Sequence, residues 1–335
     1  MSKAVTILGG GSWGMAVAHL LDRKGLQVTL WEHFPEDYEK LKELRGNPDK
    51  LPGLKLAESI RVTDNLEDAV NSSRLLVLAI PSQFVRAVLA RITPGTDGPR
   101  AVVSLAKGIE KHTLKRMSEV ILDEMSLAGD KIVALSGPSH AEEVIRDMPT
   151  TVVAAGSSEA LVTEIQELFS DNYFRVYMCH DLVGVELGGS LKNIIAIAAG
   201  IADGLGMGDN TKGALMTRGL AEITRLGISM GADPETFAGL SGMGDLITTC
   251  ISRHSRNRWV GERIGKGEKL DDVLKKMTMV AEGVETTRSG YQLARLHRVE
   301  MPITEAVYSV LFENVAPAEA VGNLMGRTLK PEIWQ

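Results

Sequence analysis

The sequence predicts an α/β protein in two parts: a doubly wound, mainly parallel sheet over residues 1–180 and an all-helical region over residues 181–335. Three observations predict it. Through the first half, short and continuously apolar β-rich runs alternate with longer helix-like segments, the pattern of strands covered on both faces and joined as right-handed βαβ units. From Asp181 onward the β signal fades and helical periodicity takes over, punctuated by Gly, Asp-Pro and Ser. The length of 335 residues also favours two cores, since a single core rarely grows beyond about 250–300 residues.

Taken in order, strands are expected at Ala4–Leu8, Val28–Trp31, Leu75–Ile80, Ala101–Leu105, Ile132–Ser136 and Thr151–Ala155, with Phe174–Met178 closing this half. Asp181 reads as the N-cap of the first helix of the second half. The glycine-rich run Gly204–Asn210 breaks that helix. Asp233-Pro234-Glu235 reads as an N-cap followed by proline at the first helical position, and a further helix is expected to begin at Thr304, after Met301-Pro302.

Apolar residues make up 44% of the chain, charged residues 24% and aromatics 4%, so the core rests on aliphatic side chains and Met. The net charge of −6 and the lack of a long basic tract argue against nucleic-acid binding. The two cysteines, Cys179 and Cys250, make no disulfide framework and fit a reducing, cytoplasmic compartment. No signal peptide is expected, because no basic stretch precedes an apolar one at the start. No apolar run is expected to reach the roughly 18 residues of a membrane span. The histidines show no metal-ligand spacing, so no metal site is expected.

The opening AVTILGGGSWGMAVAHLL places Gly9, Gly11 and Gly14 in G-x-G-x-x-G spacing, directly after a strand and at the start of a helix. Gly9 allows the tight turn, Gly11 lets backbone approach a pyrophosphate, and Gly14 lets helix pack on strand. The helix N-terminus offers free N–H groups to phosphate. This is a Rossmann dinucleotide site, the bland alternative being a tight turn alone. Glu32 ends the second strand, where a carboxylate accepts from a ribose 2′-OH and repels a 2′-phosphate; that predicts NADH in preference to NADPH. His33 beside it is either a contact to the adenosine end or an exposed loop histidine.

Ligands of such sheets lie outside the carboxyl ends of the strands. Lys107 in SLAKG, and Gly137, Ser139 and Ala141 in LSGPSHAEE, fall there. The alternatives are a solvated lysine and a plain Gly-Pro-Ser turn. In the helical half, ELGGSLKNIIAIAAGIADG carries a single lysine. On a helix, Leu187, Leu191, Ile194, Ile195, Ala198, Ile201, Ala202 and Leu205 share a core stripe. Lys192 lies well off it, on a face with Gly188, Gly189, Ala196, Ala199 and one possible counter-charge, Asp203. A face of small residues fits an occupied crevice better than bulk water. Partial burial lowers a lysine pKa toward working pH and makes Lys192 a candidate proton donor and acceptor, the alternative being a snorkelling lysine at a domain edge. SRHSRNRW places Arg256 and Asn257 in the first turn of a helix capped by Ser255, a phosphate site rather than a solvated helix end. Asp245, in GLSGMGDL, is either a helix cap or the group that orients Lys192.

The segments ILGGGSWGMAVA, LAKGIE, LSGPSHAEEV, ELGGSLKNIIAIAAGIADGLGMGDNTKGALMTRGLAEI, SGMGDLITTC, SRNRWVGERIGKG and AEGVETT together resemble the bacterial glycerol-3-phosphate dehydrogenase family, in order and over essentially the whole chain. The resemblance implies reduction of dihydroxyacetone phosphate to sn-glycerol 3-phosphate with NAD(P)H, feeding phospholipid synthesis, by a Rossmann-plus-helical homodimer. Carried over by motif, Ser12, Trp13, His33, Lys107 and Ala141 contact the cofactor. Lys107, Gly137 and Ser139 reach substrate, and Lys192 exchanges the proton. Asp245, Ser255, Arg256 and Asn257 bind substrate, with Arg256 also at the cofactor, and Val280 and Glu282 close over the cofactor. Trp13 and Val280 rest on the resemblance alone. The rivals are another Rossmann/helical dehydrogenase acting on a hydroxy acid and a non-catalytic dinucleotide sensor.

Overall fold

A computed structural model describes residues 4–92 and 101–332. Eight strands form one sheet: β1 (Ala4–Leu8), β2 (Gln27–Trp31), β3 (Arg61–Thr63), β4 (Leu75–Leu78), β5 (Ala101–Ser104), β6 (Ile132–Ser136), β7 (Thr150–Ala155) and β8 (Phe174–Cys179). Their order is β3-β2-β1-β4-β5-β6-β7-β8, so the winding reverses between β1 and β4. The crevice at that reversal is where a doubly wound sheet binds its ligand. β1, β4, β5 and β6 are buried along almost their whole length, as their unbroken apolar runs require.

The expected strands form within a residue or two, and two features differ. β3 was not expected; with three residues, one of them apolar, it has no detectable period. β7 pairs antiparallel with β6, while β8 is parallel to β7. The connection from Ser136 to Thr150 contains only the single-turn helix Ala141–Val144. That is too little to carry the chain back along the sheet for a parallel pairing.

From Leu182 onward the described residues are helical or irregular. Asp181 caps the long helix Leu182–Gly204, its side chain accepting from Gly184 N at 2.8 Å. The helix ends at the expected glycine run, and the next begins at Asp209. Asp233 caps a short helix with Pro234 at its first position. The later helix begins at Pro302 rather than Thr304. Thr304 is instead held inside it: the buried Glu222 carboxylate accepts from Ile303 N (2.7 Å), Thr304 N (3.2 Å) and the Thr304 hydroxyl.

The Leu182–Gly204 helix corrects two expectations. It is long and apolar enough by length and composition to cross a membrane, yet 89% of the qualifying window is buried against the rest of the fold. It is a core helix with no exposed face through its middle. Its small residues admit neighbouring backbones more than a ligand. A Cβ on Gly200 would sit 2.0 Å from Arg258 O, and one on Gly261 would sit 2.0 Å from Ile197 O. The helices Leu182–Gly204 and Arg256–Gly265 therefore cross backbone to backbone, which carries the basic first turn of the second toward the middle of the first. Glu186 ties the long helix to the sheet half, accepting from Arg116 (2.6 Å), Ser118 N (2.7 Å) and the Ser118 hydroxyl (2.6 Å).

Candidate active site

The glycine turn has the geometry that its spacing implies. Gly9 takes φ +113°, and a Cβ there would meet the Ala79 carbonyl at 2.6 Å. A Cβ on Gly14 would lie 1.8 Å from Gly9 O, so the helix Ser12–Arg23 can sit on the turn only without one. A Cβ on Gly11 would meet nothing within 4 Å, and the helix has no side-chain cap, which leaves the N–H groups of its first turn without a capping side chain. An uncapped helix N-terminus above an open glycine fits a pyrophosphate.

Ser12 donates to Lys50 O at 2.7 Å and lies 3.2 Å from the Met279 sulfur. Trp13 leans on Phe174, their ring centroids 6.3 Å apart. Glu32 is buried, its Oε2 accepting from Gly10 N (3.1 Å) and its Oε1 from Phe34 N (2.9 Å). The carboxylate thus binds the glycine turn to the end of β2, a part the sequence did not reveal. His33 is exposed at the same end. The segment after residue 277 crosses from the helical half to this turn. Met279 reaches Ser12, Val280 is 40% exposed, and Glu282 accepts from Ser82 N at 2.7 Å. Burial pushes the Glu282 carboxyl up. Ala141 is buried at the start of its single-turn helix.

Elsewhere in the fold, three charges from distant parts of the chain meet. Asp245 sits at the head of the helix Asp245–Ile251, directly after a wide turn at Leu240–Gly244, and is almost fully buried. Its Oδ1 is 2.8 Å from Lys192 Nζ and its Oδ2 is 2.8 Å from Lys107 Nζ. Lys192 also donates to the Thr249 hydroxyl at 2.5 Å, and that hydroxyl donates to Asp245 O at 2.6 Å. Lys107 donates to Gly137 O at 2.8 Å, a carbonyl that the Ser139 hydroxyl shares at 3.0 Å. Burial lowers the Lys192 pKa to about 8, with the Lys107 charge adding to the shift and the Asp245 carboxylate opposing it. Burial opposes the charge on Asp245, but the two lysines outweigh it and hold its carboxyl below the usual range.

The counter-charge of Lys192 is therefore Asp245. Asp203, the last residue but one of the same helix, pairs instead with Lys212 (2.7 Å) and Arg258 (2.6 Å). Asn193 and Asn257 link the halves. Asn193 donates to Lys107 O at 3.3 Å and accepts from Asn257 at 2.9 Å, and Asn257 accepts from Gly283 N at 2.9 Å. Asn257 is thus largely committed to this relay. Ser255 caps the helix Arg256–Gly265, accepting from Arg258 N at 3.2 Å. Arg256, in its first turn, is exposed and has no ion-pair partner among the described residues.

Three members of this cluster were missed in the sequence. Thr249 lies one helical turn after Asp245, a spacing that could have flagged it. Asn193 follows Lys192 directly. His140, inside LSGPSHAEE, has a buried Nε2 without a partner among the described residues. Burial and then the charges of Lys192 and Lys107 push its pKa down to about 4, so its ring is neutral at working pH.

An uncapped glycine turn, a buried lysine paired with Asp245 and an exposed arginine in the first turn of a helix are features that a dehydrogenase of a phosphorylated substrate would need. Comparison with known proteins agrees. A family profile described as the NAD-dependent glycerol-3-phosphate dehydrogenase N-terminus matches residues 4–162, and the corresponding C-terminus profile matches residues 181–322. The chain is 52% identical over 335 residues to "Glycerol-3-phosphate dehydrogenase [NAD(P)+] 2" of Salinibacter ruber, covering 100% of this chain and 97% of that one. It is also 52% identical to glycerol-3-phosphate dehydrogenase [NAD(P)+] of Geobacter sulfurreducens, with 100% of both chains covered. The crystal structure of glycerol-3-phosphate dehydrogenase from Coxiella burnetii superimposes with a TM-score of 0.91 at 35% identity, covering 97% of this chain and 99% of that one. With matching profiles on the sheet half and on the helical half alike, this chain belongs to the NAD-dependent glycerol-3-phosphate dehydrogenase family.

Proposed function

We infer that this protein interconverts dihydroxyacetone phosphate and sn-glycerol 3-phosphate with NAD(P)H. The observation that carries this reading is the Lys107–Asp245–Lys192 cluster, with Asp245 and Lys192 buried, together with the uncapped glycine turn. Bound NAD(P)H supplies the hydride to C2 of the ketone. Lys192 stabilises the negative charge that develops on the carbonyl oxygen and delivers the proton to it. Asp245 and Thr249 hold the ammonium group at a single position, which limits the reorganisation needed at the moment of reaction. Lys107, fixed by Gly137 O and Asp245, adds a second positive charge on the substrate side. Gly137 and Ser139 line that side, and Arg256 at the helix start takes the phosphate with Ser255 and Asn257 framing it. Ser12, Trp13, Glu32, His33, Ala141, Val280 and Glu282 surround the cofactor, with NADH preferred through Glu32. The direct test follows NADH absorbance on adding dihydroxyacetone phosphate, and separately a panel of keto acids. Turnover of the keto acids alone would favour a hydroxy-acid dehydrogenase.

Arg256→Ala is expected to lower kcat/KM for dihydroxyacetone phosphate by about tenfold or more, the loss of charge-assisted hydrogen bonds contributing roughly 1.5–3 kcal/mol. Dihydroxyacetone, which lacks the phosphate, provides the comparison. A ratio of the two kcat/KM values that is the same in the variant and the wild type would rule out Arg256 as the phosphate ligand.

The working division is a cofactor domain over 1–180 and a catalytic domain over 181–335. It is supported by β8 ending at Cys179 and by the Asp181 cap. A cytoplasmic location is supported by the free thiols of Cys179 and Cys250, and the product then supplies phospholipid synthesis. A homodimer is supported by Met243, Ile247 and Ile251, spaced four apart along one helical stripe and 42%, 40% and 57% exposed. Light scattering is expected to give twice the chain mass of 36.2 kDa.

A further inference from the structure

Reduction of the ketone consumes one proton per turnover, so Lys192 has to be reloaded each time. Its surroundings offer no open route. The Lys192 side chain is 6% exposed, and its partners Asp245 and Thr249 are 2% and 4% exposed. Thr249 spends its hydroxyl hydrogen on Asp245 O. The two lysines hold the Asp245 carboxyl below the usual range, so it carries no proton at working pH.

His140 reaches from this sealed cluster toward the surface. It lies three residues after Gly137, whose carbonyl accepts from Lys107, and it opens the single-turn helix Ala141–Val144. Its Nε2 is buried without a hydrogen-bond partner among the described residues, yet the residue as a whole is only partly buried. Of the charges that act on its ring, Lys192 acts most strongly, followed by Lys107 and Asp245. On its other side stands the exposed His254, with the two ring centroids 5.9 Å apart. A neutral imidazole can accept a proton on one nitrogen while it gives one up from the other.

We propose that His140 relays protons between solvent and Lys192, with His254 at the outer end. The demand for protons rests on the activity inferred above, but the path does not. Once Lys192 has given up its proton it is a neutral amine. The Nε2–H bond of His140 breaks, and that proton forms the N–H bond that restores the ammonium group. Nδ1 of His140 takes a proton from His254 or from water, so the ring ends neutral, and a turn of the ring readies it for the next cycle. Solvent is the net source of the proton, and nothing is oxidised or reduced along the path.

Two measurements on the full chain test the relay. The first mixes enzyme rapidly with saturating NADH and dihydroxyacetone phosphate at neutral pH. The first turnover uses the proton already on Lys192, and later ones need the relay. In His140→Phe the first turnover is expected to keep its rate within about twofold, while the steady rate falls by about tenfold or more. His140→Ala should show the same split. Added imidazole should restore its steady rate, but not that of His140→Phe, whose phenyl ring fills the space. The second measurement needs no ligand. Exchange of the Lys192 ammonium hydrogens with water, followed by NMR of nitrogen-15 lysine, is expected to slow by about tenfold in His140→Phe. A first turnover slowed as much as the steady rate would mean a structural role or a substrate contact, and would overturn the relay. Unchanged ammonium exchange would overturn it as well. A chain in which exchange slows but no dihydroxyacetone phosphate is reduced would support the relay and overturn the activity.

Discussion

Lys192→Met is expected to lower kcat by about a thousandfold or more while NADH affinity stays within a few-fold of wild type. General acid catalysis contributes about 10²–10⁴ and stabilisation of a developing oxyanion about 10²–10³, and both are lost with one ammonium group. The fold should tolerate the change. Two ammonium groups share the single Asp245 carboxylate, so removing Lys192 leaves the Lys107–Asp245 pair balanced, and methionine keeps the volume. Lys192→Arg should fail as well, because a guanidinium does not release a proton near neutral pH. A Met variant retaining a tenth of wild-type kcat would exclude Lys192 as the proton donor. The pH dependence provides a second check. With a pKa of about 8, Lys192 is protonated below that pH and able to donate. Reduction of the ketone should therefore hold a plateau below pH 8 and fall as pH rises through it. Oxidation of the alcohol needs the neutral amine and should rise through the same point.

Asp245→Ala is expected to damage activity and stability together. The carboxylate is almost fully buried between the two lysines. Without it, two like charges remain close together in a desolvated site, and breaking such a buried pair costs roughly 3–5 kcal/mol. Asp245→Asn separates the two effects. The amide keeps the shape but not the charge, so one lysine is driven to deprotonate. The midpoint of the reduction profile should then move below its wild-type position near pH 8. An Asn variant with an unshifted midpoint would mean that Asp245 does not set the charge state of Lys192.

These two residues also show how far the sequence reaches. Lys192 was conspicuous because a hydrated cation stood among small and apolar neighbours, a contrast visible within one helix. The caps at Asp181, Asp233 and Ser255 were visible for the same reason, since a cap bonds an N–H two or three residues away. The glycine turn was legible because steric demands on Gly9 and Gly14 act within a few residues and across one neighbouring strand. The run-and-break pattern of apolar residues likewise placed every strand long enough to have a period.

What the sequence determined about this protein is thus its local conformation and its inventory of unusual groups: an α/β half, a helical half, a tight glycine turn between strand and helix, and one displaced lysine. Tertiary structure decided the pairings. Asp203 shares a helix with Lys192 yet serves Lys212 and Arg258, while Asp245, far along the chain, serves Lys192 and Lys107. It also turned Glu32 onto two backbone N–H groups, left His140 Nε2 without a hydrogen-bond partner among the described residues, and buried a membrane-length helix inside the fold. The physical reason is range. Propensity, capping and steric exclusion act over a few residues. Ion-pair choice and desolvation depend on which groups lie within a few ångströms after helices such as Leu182–Gly204 and Arg256–Gly265 have packed backbone to backbone.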